Sequence, residues 1–172
     1  NGFGEHNIQG IGDKHIPLVQ NVANTDAAVA ISDRTTDQLL VLFNDPVGHA
    51  VLRAHGVGED VIAALPHFGL SSICNIVASI KMAKALGLGA EDVILTVATD
   101  GAELYTSEKP KAIAKHFGGR FDAARAAEAF GQHLAGASTE HVLLTGPVER
   151  NRIFNLGFFT WVEQRGVAVE DF

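Results

Sequence analysis

Thr99-Asp100-Gly101 follows directly on Val93-Ile94-Leu95-Thr96-Val97-Ala98, so a hydroxyl and a carboxylate stand at the end of an apolar run. Such a pair can hydrogen-bond a heterocycle nitrogen, and Gly101 leaves the backbone free to turn or to approach a ligand closely. The same three residues are also ordinary turn chemistry, and that reading stays open. Gln9-Gly10-Ile11-Gly12 sets two glycines around one apolar residue, which lets the main chain lie against a planar ligand. It is not a dinucleotide fingerprint, because His15 stands where the third glycine belongs and no strand precedes it; a glycine-rich loop at a domain seam is the alternative.

Other chemistries find less support. His6, His15, His49, His55, His67, His116, His133 and His141 form no His-x-x-x-His pair and no zinc-like set with the lone Cys74, so no metal is expected. A serine hydrolase is not supported either, since there is no Gly-x-Ser-x-Gly elbow. Cys74 falls in an apolar helical pattern and reads as a core thiol of a reducing compartment rather than a nucleophile.

The elements that must position these residues follow from periodicity and punctuation. Residues 27–31 read as a short strand closed by the N-cap signal Ser32-Asp33, and residues 35–43 as a helix carrying Leu39, Leu40, Leu42 and Phe43. Asp45-Pro46 opens a second, surface-packing helix that Gly56 and Gly58 stop, with a short turn over 60–65. Ser71 or Ser72 caps the clearest helix, where Ile73, Ile76, Val77, Ile80 and Ala83 recur until Gly87 and Gly89.

Residues 93–98 have the length and continuous apolarity of a parallel strand covered on both faces, and are expected to be the central strand. Helices are expected over 108–117, 122–134 and from Pro147 toward Gln164, with 141–144 as a further candidate strand. The alternation predicts an α/β architecture of three layers, a mostly parallel sheet flanked by helices, in one domain spanning residues 1–172.

Composition bounds the function. The 172 residues are 47% hydrophobic, enough for a packed core, and carry a formal charge of -7. No Lys/Arg cluster is interleaved with aromatics, so nucleic acid is not an expected partner. No apolar run reaches the roughly 18 residues of a membrane span, and the opening residues lack the regions of a signal peptide, so no membrane association and a cytoplasmic location are expected. The chain opens on Asn1 rather than Met, which reads as an internal cut.

Taken in order, Ile8-Gln9-Gly10-Ile11-Gly12 with Pro17, then Gly69-Leu70-Ser71-Ser72 opening an apolar helix, then the run from Thr99-Asp100-Gly101 to Ser107, resemble the C-terminal part of cysteine synthase. That enzyme belongs to the tryptophan synthase beta-like, fold-type II pyridoxal-phosphate superfamily. The resemblance covers roughly residues 4–107. It implies that Gly10, Ile11 and Gly12 lie beside the pyridoxal 5'-phosphate ring and that Thr99, Asp100 and Gly101 face its pyridine nitrogen, with either Thr99 or Asp100 meeting it.

A hydroxyl there favours β-elimination and β-replacement, whereas a carboxylate would keep the nitrogen protonated and broaden the chemistry. Asp13, Lys14 and His15, which replace the family's usual small or aromatic residues, fall at the mouth of the site beside an amino-acid substrate. The Schiff-base lysine and phosphate loop of such enzymes lie N-terminal to the matched part, and none of Lys14, Lys81, Lys84, Lys109, Lys111 or Lys115 has a matching context.

The resemblance thus implies a fragment of a longer enzyme that forms one wall of the cofactor site, contains no catalytic residue and is inactive alone; a homodimer of the full-length protein is compatible with it. A non-catalytic small-ligand-binding or regulatory module is the competing expectation. An assembly role for the aromatic C-terminal helix with Phe154, Phe158, Phe159 and Trp161 is a third.

Overall fold

The computed structural model describes residues 6–8, 11 and 15–172, in two compact units. One comprises Asn1–Val29 with Val142–Phe172 and the other Ala30–His141. The expected three-layer parallel sheet is not formed: 60% of the described residues are helical and 4% strand. Among the described residues the sheet is a single antiparallel pair, β1 (Ala27–Val29) and β2 (Val142–Leu144), with Ala27 opposite Leu144 and Val29 opposite Val142.

Residues 93–98, expected as the central strand, form no regular element, pair with no strand and are exposed, with Leu95 at 94% and Val93 at 88%. A parallel strand satisfies its N–H and C=O groups only through neighbours reached by long crossovers, and none of the described segments supplies one here. Apolarity alone cannot bury a strand that has nothing to pair with.

The centre of Ala30–His141 is a helix instead. α1 (Asp33–Phe43) starts at Ser32, whose hydroxyl accepts from the Thr35 N–H, as the Ser32-Asp33 signal predicts. From Thr36 to Phe43 every residue is buried, so α1 is enclosed on all sides, as expected of a helix apolar around much of its circumference. Its buried polar groups are paired. Asp37 accepts from His116 at 2.9 Å and Lys115 at 3.4 Å, and Gln38 meets His133 at 2.8 Å.

α2 (Pro46–Ala54) begins with Asp45 capping Val47 and Pro46 in the first turn. A Cβ on Gly48 would fall on the Leu42 carbonyl, so only glycine lets α2 lie this close to the end of α1. α3 (Glu59–Ala64) runs into a short 3-10 turn at Leu65–His67.

α4 (Leu70–Leu86) buries Leu70, Ile73 and Val77, and Gly87 ends it in the left-handed region at φ 65°. α5 (Glu108–Phe117) and α6 (Ala123–Phe130) close the core, where Val41, Ala112, Phe117 and Ala129 pack with Ile113 and Phe121. α6 loosens into a π-helical turn at Gly131–Ala135 that carries His133.

In the other unit, α7 (Pro147–Phe158) continues as a π-helical stretch, Phe159–Gln164. Phe154 and Phe158 pack on Phe172, and the Trp161 indole N–H donates to the Ile16 carbonyl at 2.7 Å. Arg150 pairs with Asp26 at 2.8 Å, and Thr145 bonds the Thr25 carbonyl, tying α7 and β2 to the stretch before β1.

Candidate functional site

α4 starts at Gly69 without a side-chain cap. Neither Ser71 nor Ser72 caps it as expected; both lie in its first turn and bond outward to the loop around Thr99. The Ser72 hydroxyl accepts from the Thr99 N–H at 3.0 Å, and the Asn75 amide, one turn on from Ser71, donates to the Val97 carbonyl at 3.0 Å. The Gly69 N–H donates to the Asp100 carbonyl at 2.7 Å. One polar edge of the first turns of α4 therefore holds residues 97–100 in place.

The side chains form a directed chain. The Asp100 carboxylate only accepts, so Thr99 donates to its Oδ1 at 2.8 Å and Tyr105 to its Oδ2 at 2.5 Å. With the Thr99 proton engaged, Ser71 donates to Thr99 Oγ1 at 2.5 Å and also stands 3.4 Å from Asp100 Oδ1. Ser71 and Ser72 are buried, while Thr99 is exposed at the open end.

The electrostatics follow from this geometry. The Tyr105 hydroxyl holds the Asp100 carboxyl below its ordinary value of 3.8, aided by Thr99 and Ser71 and opposed by burial. Tyr105 is pushed up to about 12 by burial and by its bond to Asp100. At neutral pH the site is thus a fixed carboxylate wrapped by three neutral hydroxyls. A Cβ on Gly69 would lie 2.5 Å from the Tyr105 ring and 2.9 Å from the Asp100 carbonyl, so the close approach of loop and helix requires glycine.

Tyr105 also lines a cavity of about 330 Å³ with Leu40, Pro66, Ala102 and Lys109. Lys109 is committed elsewhere, donating to the Asn44 carbonyl at 2.6 Å and pairing with Asp45 at 3.1 Å.

Two of the three sequence motifs thus meet, Gly69-Leu70-Ser71-Ser72 and Thr99-Asp100-Gly101, and Gly101 opens the 3-10 turn Ala102–Tyr105 that delivers Tyr105. Of the remaining candidates, Gly10, Gly12, Asp13 and Lys14 lie outside the described residues. Ile11 is half-buried and His15 exposed, both in the unit that does not contain Thr99. Sequence reasoning missed Tyr105 and Asn75 as functional groups. Asn75 was legible as a polar residue four after Ser71, on the same face of an apolar helix.

Cys74 is buried, and burial, with Asp33 adding to it, raises its pKa, which is the behaviour of a core thiol rather than a nucleophile. Among the described residues no three His, Cys, Asp or Glu side chains converge as a metal site would require. No helix among them is long and apolar enough to cross a membrane. Comparison with protein-family models, with curated proteins and with solved structures finds no match to this chain.

Proposed function

We propose that this chain supplies one wall of a pyridoxal 5'-phosphate site in a cytoplasmic, cysteine synthase-like lyase or synthase acting on a β-substituted amino acid. The observation that carries the reading is the directed chain from Ser71 through Thr99 to Asp100 and Tyr105, formed by two of the motifs on which the resemblance rests.

The donor set suits a pyridine nitrogen. Thr99 is the exposed hydroxyl, and Ser71 already stands 3.4 Å from Asp100 Oδ1. When Thr99 turns its proton to a ring nitrogen, Ser71 turns its own to the carboxylate, and Asp100 keeps two donors. Asp100 is then a positioning residue, ionised and wrapped, with Thr99 the group that touches the ring. When bound, the cofactor supplies an electron-withdrawing ring that stabilises negative charge at the substrate α-carbon, and a nitrogen bonded to a neutral hydroxyl keeps that withdrawal moderate, which suits β-elimination and β-replacement. None of the lysines of this sequence stands in the context of the family's Schiff-base lysine, so this reading assigns the covalent anchor to a lysine outside it and expects the chain alone to be inactive.

Pyridoxamine 5'-phosphate, which has no aldehyde to react with surface lysines, is the probe. Saturable binding that Thr99→Val weakens about fivefold, the worth of one neutral hydrogen bond, is the expected result. Borohydride treatment after incubation with pyridoxal 5'-phosphate should trap no single lysine. Absence of saturable binding, or binding indifferent to Thr99→Val, removes this reading.

A further inference from the structure

Ten residues beyond Ser71, about 15 Å along α4, the same helix contributes Lys81 to a different cavity. It encloses about 310 Å³ within the unit Ala30–His141, and its wall includes Ser32, Arg34, Gln132, Ser138 and Glu140. Lys81 is only 9% exposed, yet it has no hydrogen-bond or ion-pair partner among the described residues. None of the fully enclosed side-chain nitrogens or oxygens described lacks a partner, so the Lys81 ammonium must open into free space, and the space it lines is this cavity. The Lys81 stem is thus packed away while its unpaired ammonium stands at the cavity wall, where an anion would complete it.

The surrounding groups sharpen the chemistry. His133, on the same wall, is buried and hydrogen-bonded at both nitrogens, to Thr35 at 3.2 Å and Gln38 at 2.8 Å. Burial, with Arg34 and His116 nearby, lowers its pKa to about 4, so the ring is neutral at pH 7. Gln38 Oε1 can only accept, so His133 Nε2–H donates to it and Nδ1 accepts from Thr35. Thr35 in turn receives the Ser32 proton at 3.0 Å, which leaves Ser32 without one for a ligand.

The Ser138 oxygen accepts from the Glu140 N–H at 3.3 Å, so its proton is available. Arg34 is exposed and, like Lys81, without a partner among the described residues. Two cations and a donor hydroxyl thus face one acid, Glu140, in the lining. Lys84, one turn beyond Lys81, fixes the far wall by donating to the Ala137 carbonyl at 2.6 Å.

We infer that this cavity binds a small oxyanion, a carboxylate or phosphate group, with Lys81 as its buried counter-ion and Arg34 closing over it from the N-terminal turn of α1. The site is separate from the Ser71–Asp100 network and does not depend on the pyridoxal reading.

Calorimetric titration of the whole chain with inorganic phosphate and, separately, with succinate, at ionic strength held constant with chloride, tests it. Saturable binding of at least one probe is expected, weakened about tenfold or more in Lys81→Met, as loss of a charge-assisted bond requires. It should also be weakened in Arg34→Gln and unchanged in Lys111→Met, whose lysine pairs with Glu108 on α5. Binding of phosphate alone assigns a phosphate ligand, and binding of succinate alone a carboxylate. Absence of saturable heat with both probes overturns the inference, as does binding that survives both Lys81→Met and Arg34→Gln. Because Arg34 is exposed, its variant tests the site even if Lys81→Met does not fold.

Discussion

Asp100 is held from four directions: its carbonyl by the Gly69 N–H, its carboxylate by Thr99 and Tyr105, and more distantly by Ser71. Tyr105 is the chain's single tyrosine, so its ionisation can be read without interference. Its phenol should titrate near 12 in an alkaline ultraviolet absorbance titration. In Asp100→Asn the midpoint should fall toward the ordinary ~10 without reaching it, because burial, the larger cause, remains. Stability follows the same sign. The neutral phenol is favoured by the fold, so its contribution is complete below pH 10 and is lost as pH rises toward 12. A wild-type midpoint near 10 would mean that Tyr105 does not hold Asp100.

At the scale of elements, α1 and residues 93–98 exchange the roles that their sequences suggest. Both are strongly apolar, but α1 satisfies its backbone within itself and can be buried whole, whereas an extended segment needs a partner strand. Substitutions separate the two environments. Leu95→Ser, at a side chain 94% exposed, should change the stability measured by urea unfolding by no more than about 0.5 kcal/mol. Leu39→Ala, at a side chain with no exposure, should cost about 2–5 kcal/mol. Equal costs at both positions would restore the buried strand. Asp37 adds a polar constraint on α1, and Asp37→Ala should cost about 2–3 kcal/mol in the same measurement, the scale of hydrogen bonds to charged groups, because His116 and Lys115 lose their shared acceptor.

Across the whole molecule, the pH dependence of stability carries the mark of His133. Its folded-state pKa is lowered from 6.5 to about 4, so between those values the unfolded chain binds a proton that the folded chain refuses. Stability is therefore full above pH 6.5 and declines as pH falls toward 4. Urea midpoints taken across this window should fall with pH in the wild type and fall less steeply in His133→Gln. An identical slope in the variant would show that the imidazole is not held neutral.

How far the sequence could be read depends on the reach of each signal. Ser32, Asp45-Pro46, Gly87 and the 108–117 pattern mark helix ends or extents that the fold reproduces, because capping and left-handed termini act within one turn of the chain. The apolar face of α4 and the proximity of Thr99 and Asp100 to the run before them were equally local. Tertiary structure alone decided that Ser71 and Ser72 bond a loop almost thirty residues away rather than cap their helix, that Tyr105 closes on Asp100, and that Lys81 is packed into the wall of a cavity. It also decided that residues 93–98 stay unpaired. Helix hydrogen bonds are made within a segment, whereas a strand, a counter-ion and a shared proton each need a partner whose position is set by the packing of the rest of the chain.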